Sequence, residues 1–488
     1  MIKILKESFF PFTSTQEGKI FFRNVLLMSC ILINVNIVRI IKDSYVTTML
    51  GAETISFCKL LGELPFSIFF FFIYSKLSNM MNTEKLCRYT MFSFLITLTL
   101  LPFLFFQFNS YVTLSEENKK LVQESYPALK WIVATFSNWP YVAYFILGEI
   151  WPIIAYSVLF WQFMNKFNDP AESEKHYISY NLYGQTSLLF SGIIVNFFIS
   201  NQTYLNILVQ VFLFPVNEND QKVKVLSMIV LFLGLVAIIL HYTCEQYYKK
   251  IKNTNLKSPS SKKDKFHLTI RESVALLSKS KQIRNIVFII FGYGFTVTLM
   301  HLTWLSALQH KYPSPIEFMQ FQAYLNYWTG ILTILIAIFG KKIVKTFGLP
   351  FAAKVTPIFT LIPGAFFYAA CTVFNYSLNL TIISYATLIG SIQYVLVRAS
   401  KYVLFDSTKE RLYTFIDNEE LKTKGKVLAD VLGFKTGKAM GAFALSAPLI
   451  ISPNQNYITI APFTGIALVL VCYFWIKAIS DSTKTLNK

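Results

Sequence analysis

Charged side chains are scarce: Asp, Glu, Lys and Arg make up 15% of the 488 residues, where soluble domains carry about a quarter. With 54% hydrophobic and 17% aromatic residues, that deficit excludes an ordinary soluble protein and indicates a polytopic membrane protein. Acidic residues are the scarcer sign, 26 against 45 Lys plus Arg, for a formal charge of +19. In a soluble chain this balance would suggest nucleic acid. In a membrane protein cations collect in cytoplasmic loops, and no nucleic-acid partner is expected. Cysteine is sparse, six in all at 30, 58, 87, 244, 371 and 472, each alone in or beside an apolar segment. They read as small core hydrophobes, without disulfides or a metal centre. The five histidines, at 176, 241, 267, 301 and 310, are scattered, and neither HExxH nor GxSxG occurs. Gly433-Phe434-Lys435-Thr436-Gly437-Lys438-Ala439 has three residues between its glycines where a phosphate loop needs four, and Ala439 replaces the hydroxyl that would hold Mg²⁺. No enzyme and no cofactor are expected.

What the chain has instead is long apolar runs. Twelve segments are long enough to cross a bilayer, at about 21–42, 54–76, 87–108, 139–164, 177–199, 225–246, 284–308, 320–340, 349–374, 378–400, 430–451 and 457–479. With the N-terminus inside, 35 of the 45 Lys and Arg fall in inner segments and 6 in outer loops. That bias predicts both termini cytoplasmic. The largest inner loop is basic, with Lys249, Lys250, Lys252, Lys257, Lys262, Lys263 and Lys265 around Ser258-Pro259-Ser260-Ser261. It reads as a solvated linker against anionic headgroups, and it divides the chain into a six-helix half at 1–246, a linker at 247–283 and a second half at 284–488. The predicted fold class is an all-α membrane protein of twelve transmembrane helices in a major-facilitator-like six-plus-six arrangement, expected to be a monomer.

Ionisable groups inside such spans persist only where they pair or line a wet cavity. The first span ends Arg39-Ile40-Ile41-Lys42-Asp43; the second carries Lys59 and Glu63, the fourth Glu149, the seventh His301, the ninth Lys354, the tenth Arg398 and Lys401, and the eleventh Lys435 and Lys438. Basic groups dominate, and spans one, four, seven and ten, which line the cavity in a major-facilitator arrangement, recur among them. A cationic midplane site for an anion follows. Each group also has a structural alternative. Lys59 with Glu63, and Arg39 with Asp43, are spaced i, i+4 and could neutralise one another. Arg398, Lys401, Lys354 and Lys435 could snorkel to the inner interface. Glu149 has Phe145 and Ile153 at those spacings, so its partner must come from another helix. At mid-bilayer an ionised carboxylate costs roughly 2.5–3.5 kcal/mol.

Several segments carry a resemblance: Ile41-Lys42-Asp43-Ser44, Gly51-Ala52-Glu53-Thr54-Ile55-Ser56-Phe57-Cys58-Lys59, Glu149-Ile150-Trp151 with Leu159-Phe160-Trp161-Gln162-Phe163, and Tyr312-Pro313. The most specific are Ser400-Lys401-Tyr402-Val403-Leu404-Phe405-Asp406-Ser407-Thr408-Lys409-Glu410, Leu421-Lys422-Thr423-Lys424-Gly425-Lys426 and Gly437-Lys438. Covering nearly the whole chain, they resemble the ATP/ADP translocase (nucleotide transporter) family of obligate intracellular bacteria and plastids. The resemblance implies import of host ATP in exchange for ADP across a bacterial inner membrane. The family's transport-critical charges fall on Lys59, Glu149 and Lys438, with Arg39, Lys42, His301 and Lys401 as further candidates for the substrate site. One departure stands out. Where the family shows an acidic residue followed four positions on by Lys, this chain has His301-Leu302-Thr303-Trp304-Leu305. That departure keeps open a second reading, proton-coupled net uptake of GTP, CTP or UTP, with phosphate or protons as candidate co-substrates. A membrane-embedded lipid-handling enzyme is the alternative from outside transport. Base recognition is open among Trp151, Tyr156, Trp161, Gln162, Tyr324, Asn326, Trp328 and Gln393.

Overall fold

The computed structural model describes residues 15–106, 113–167, 170–201, 218–252, 280–413, 429 and 433–484. Among them the chain is helical and contains no strand, as hydrocarbon requires of a backbone that must satisfy its polar groups internally. Eleven helices are long and apolar enough to cross a bilayer: α1 (Glu17–Leu50), α2 (Thr54–Ser78), α3 (Glu84–Phe106), α4 (Trp139–Phe167), α5 (Leu182–Ser200), α6 (Gln221–Lys250), α7 (Lys281–Lys311), α8 (Pro315–Gly340), α9 (Lys342–Ser377), α10 (Leu380–Tyr413) and α12 (Ala461–Thr483). The remaining expected span, 430–451, is occupied by α11 (Phe434–Ile451). Lys435 and Lys438 in its first two turns make it less apolar than the others. Most of the expected linker at 247–283, and the Leu421–Lys426 segment, lie outside the described residues.

Short turns reverse the chain between α1 and α2, where Gly51 adopts φ 93°, and between α7 and α8. These turns and the 452–460 connection lie at one face of the bundle, the distal face. The start of α1 and the end of α12 lie at the other, the terminal face. Near the start of α9 the chain bends sharply at Gly348 (φ 81°, ψ 167°), a conformation open to glycine and strained for other residues.

Among the described residues, four of these spans are not plain α-helix. π turns interrupt them at Cys58–Glu63 in α2, Leu101–Phe106 in α3, Ile153–Phe160 in α4 and Lys401–Phe405 in α10. Three have a proline in or beside them: Pro102 lies within, Pro152 immediately before, and Pro65 two residues after. Proline removes an N–H and crowds the preceding turn, and a widened turn relieves both while keeping the helix continuous. Such π bulges recur at functional sites, and two of these four contain candidate site lysines, Lys59 and Lys401.

Helices pack through large buried rings and a few close crossings. Trp151, Trp304 and Trp475 are among the largest fully buried side chains. Trp151 Nε1 donates to Asn34 Oδ1 at 2.9 Å, and Asn34 Nδ2 donates to the Val230 carbonyl at 2.6 Å, tying α4 to α1 and α1 to α6. The first six helices meet the last six closely where α5 crosses α8. A Cβ on Gly192 would stand 2.5 Å from the Ala323 carbonyl oxygen, and one on Gly330 would stand 2.6 Å from the Leu189 nitrogen. Small residues at such crossings let backbones approach where lipid supplies no hydrophobic drive. Gly330→Ala is therefore expected to lower stability by about 1–3 kcal/mol, the range for overpacking. A thermal-unfolding comparison of the purified variant in detergent checks this, and an unchanged midpoint would refute the crossing.

Candidate functional site

The polar centre of the bundle is built around Lys42, four residues past Val38 on α1 and 2% exposed. Its Nζ lies 2.5 Å from Asp43 Oδ1 and 2.6 Å from Glu149 Oε1. The Phe145 ring centroid is 4.3 Å away. Phe145 and Glu149 are one helical turn apart on α4, so ring and carboxylate reach the ammonium together. Gly148 makes room for this. A Cβ there would stand 2.8 Å from Lys42 Cδ, so any larger residue would collide with the lysine stem. An ammonium at this depth persists because two carboxylates and a π face replace its water.

Glu149 thus takes its partner from another helix, as its own helix requires, and the partner is Lys42. Lys59 and Lys438 stand further off. Their charges act on the Glu149 carboxylate, but neither closes an ion pair with it among the described residues. The i, i+4 pairs expected within helices do not form. In the π turn at Cys58–Glu63 hydrogen bonds run i to i+5, Leu64 N–H donating to the Lys59 carbonyl, so four residues no longer close one turn. Lys59 and Glu63 make no ion pair among the described residues. Asp43 binds Lys42 rather than Arg39.

Lys438 comes from the last six helices. It is positioned by a close crossing of α11 on α7, where Cβ atoms on Gly437 and Gly441 would stand 2.4 Å and 2.9 Å from the Phe291 and Phe295 carbonyl oxygens. The lysine Nζ lies 5.1 Å from the centroid of the Phe434 ring. Lys59, Glu149, Glu63 and Arg39 are the charges that act on it, which puts α1, α2, α4 and α11 around one polar volume. That volume holds four cations, Arg39, Lys42, Lys59 and Lys438, against three carboxylates, Asp43, Glu63 and Glu149. Lys42 is held by two of the carboxylates, while Lys59 and Lys438 close no ion pair among the described residues.

His301 of α7 feels the charges of Asp43, Lys59, Lys42 and Glu149 and so borders the same volume. Its ring stacks on Tyr394 of α10 (centroids 5.8 Å apart, planes at 21°), which in turn stacks on Trp304 at 5.0 Å. Trp304 Nε1 donates to Ser391 Oγ at 3.2 Å. Arg398 does not snorkel: its Nη1 donates to Asn326 Oδ1 at 3.0 Å and to the Tyr394 hydroxyl. Lys401 Nζ pairs with Asp406 Oδ2 at 3.1 Å, five residues on. Sequence reasoning missed the Tyr394–Arg398–Asn326 chain, since in a protein with 27 Tyr one aromatic carries no signal. A cavity of about 540 Å³, lined by His310, Phe374, Asn375 and Asn456 among others, opens at the distal end. It lies away from these charges.

Removing the ammonium at position 42 strands two buried carboxylates. Lys42→Met is therefore expected to destabilise the fold by about 3–5 kcal/mol, the range for breaking a buried pair, and adding Glu149→Gln to recover part of it. Thermal unfolding of the two variants and the parent decides; a double variant no better than the single one would argue against the pair.

The family model described as TLC ATP/ADP transporter matches residues 1–486. The chain is 35% identical over 483 residues to "ADP,ATP carrier protein 4" of Rickettsia bellii, covering 97% of this chain and 91% of that one. It is 28% identical over 484 residues to "ADP,ATP carrier protein 5" of Rickettsia prowazekii, covering 97% and 95%. Among solved structures, a bacterial homologue of the iron transporter ferroportin aligns with TM-score 0.57 at 10% identity over 95% of this chain and all of that one. A D-xylose-proton symporter aligns with TM-score 0.55 at 12% identity over 93% and 96%. Those two likenesses give the fold, a transporter fold of the major-facilitator kind. By the match along essentially its whole length, the chain belongs to the TLC ATP/ADP transporter family.

Proposed function

We propose that this protein imports a host nucleotide across a bacterial inner membrane, ATP entering as ADP leaves, by alternating access at the polar centre. Membership of a transporter family sets aside the lipid-handling enzyme. The observation that carries the substrate class is the arrangement of cations: Lys42 is committed to Asp43 and Glu149, while Lys59 and Lys438, one from each set of six helices, share the same volume without an ion pair of their own among the described residues. Two separated ammonium groups suit the oxygens of a polyphosphate chain. In this reading Lys59 and Lys438 grip phosphate from the two sides, and Glu149 holds Lys42 and competes for the other cations when the site is empty. Both termini face the cytoplasm, in line with the distribution of Lys and Arg. Exchange of ATP with four charges for ADP with three would move net charge, about 2.3 kcal/mol per charge per 100 mV, so the membrane potential would bias its direction.

His301 favours a second reading. An imidazole stacked on Tyr394 stands where the resembling family shows a carboxylate, and an imidazole can relay a proton between its two ring nitrogens. Proton-coupled net uptake of GTP, CTP or UTP would use it.

Uptake of radiolabelled nucleotides into cells expressing the protein separates these readings, with unlabelled competitors and with or without preloaded counter-substrate. Exchange requires that uptake depend on internal nucleotide; uptake that ignores preloading would remove the exchanger. Lys59→Ala and Lys438→Ala are each expected to reduce nucleotide uptake by about tenfold to a hundredfold, as loss of a charged hydrogen bond of about 1.5–3 kcal/mol implies. Parental activity in both would place the site elsewhere. His301→Glu is expected to flatten the pH dependence of uptake under the second reading, and to leave it unchanged if exchange is obligatory.

A further inference from the structure

Among the described residues, six hydrogen bonds that join the first six helices to the last six gather at one end of the bundle. Ala52 N–H donates to Gln309 Oε1 at 3.4 Å, Ser306 Oγ to Glu53 Oε1 at 2.8 Å, Tyr457 N–H to Glu53 Oε1 at 3.0 Å, and the Tyr457 hydroxyl contacts both the Glu53 carbonyl at 3.0 Å and Ser56 Oγ at 2.7 Å. Gln320 Nε2 donates to Ser200 Oγ at 3.1 Å. All six lie at the distal face. The ion pairs near the terminal face, by contrast, close within one set of six: Lys166 with Glu84, Arg88 and Lys249 with Glu245, Lys401 with Asp406. Among the described residues none of these pairs joins the two sets.

Glu53 is the hub of the distal contacts. It sits in the three-residue turn between α1 and α2, yet it is only 4% exposed. A buried carboxylate needs donors, and both donors to this one come from the other six helices: Ser306 Oγ at the end of α7 and the Tyr457 backbone N–H in the link between α11 and α12. Gly51, at φ 93°, makes the sharp turn that aims residue 53 inward. Tyr457 is fully buried. Burial, reinforced by Glu53 beside it, pushes its phenol well above the usual tyrosine range, so it stays a proton donor.

We propose that Glu53 is a gating residue of the transport cycle, the acceptor of a latch that closes the distal face by binding Ser306 and Tyr457, and that opening this face requires both bonds to break. The inference rests on the alternating-access carrier proposed above, but not on which solute is carried. The latch stands apart from the substrate charges. Its only ionisable member besides Tyr457 is Glu53 itself, and no Lys, Arg or His is bonded to it among the described residues. A carboxylate held by neutral donors can let go without stranding an opposite charge, which a buried ion pair could not do. That suits a contact that must form and break in every cycle.

Distance measurement by pulsed electron resonance tests the latch. Spin labels go on Leu121→Cys and Tyr376→Cys, exposed distal positions on the two sets of helices at 61% and 86%; the six native cysteines are all buried. The parent is expected to show one dominant short distance. Glu53→Ala should raise the ratio of long to short distances about tenfold, equivalent to about 1.4 kcal/mol. Ser306→Ala removes one donor to the Glu53 carboxylate, and Tyr457→Phe removes the hydroxyl that bonds the Glu53 carbonyl and Ser56 while keeping the Tyr457 N–H bond; each should raise the ratio by a smaller factor. If Tyr457→Phe and Ser306→Ala both match the parent, the latch is refuted, whatever Glu53→Ala does. No nucleotide is needed for this readout, so a carrier of some other anion would still show the shift, and the two proposals fail separately.

Discussion

An ammonium cannot stand alone in hydrocarbon, and the arrangement of this carrier's centre follows from how Lys42 avoids doing so. Two carboxylates and a phenyl face surround its Nζ within 4.3 Å. Because Asp43 and Glu149 are spent on Lys42, they do not neutralise Lys59 or Lys438. The bundle core therefore presents cations on two sides of one volume, and Glu63 is the carboxylate there that closes no ion pair among the described residues. Glycine makes the geometry reachable at both ends: Gly148 lets the Lys42 stem cross α4, and Gly437 lets α11 lie against α7 so that Lys438 points inward.

Two kinds of contact divide the labour of the molecule. Close backbone crossings, such as α5 on α8 at Gly192 and Gly330, resist separation because opening them forfeits the tight van der Waals packing that small residues allow. The distal contacts around Glu53 are hydrogen bonds between a carboxylate and neutral donors, few and breakable. The alternating access proposed for this chain would use both: crossings as a fulcrum, and latches that release. The π turns add local freedom near two of the candidate lysines, at a place where proline already prevents a regular helix in α2.

Much of this was legible in the sequence. The scarcity of charge and the length of the apolar runs give a twelve-helix bundle, and the structure departs only at α11, where Lys435 and Lys438 make the helix less apolar than its neighbours. The cost of Glu149 in an apolar run pointed to an interhelical partner. Which partner was not legible: Lys42, Lys59 and Lys438 are equally basic as letters, and only the crossing of α1 on α4 selects Lys42. The i, i+4 pairing of Lys59 with Glu63 was a sound reading for an α-helix and failed because Pro65 sits beside a π turn. Lys401 drew attention by its motif, but its local carboxylate, Asp406, was the simpler partner. Glu53 gave no signal of its kind, since burial of a turn residue depends on helices more than 250 positions away in the chain.

The central claim is that Lys59 and Lys438 hold the phosphate chain of a nucleotide. Equilibrium binding of a nucleoside and its mono-, di- and triphosphate to the purified carrier tests it most directly, in the parent and in the Lys59→Met/Lys438→Met double variant. Affinity is expected to climb with each phosphate in the parent and to stay flat across the series in the double variant. A parent that binds nucleoside and triphosphate equally, or a double variant that keeps the climb, would contradict it.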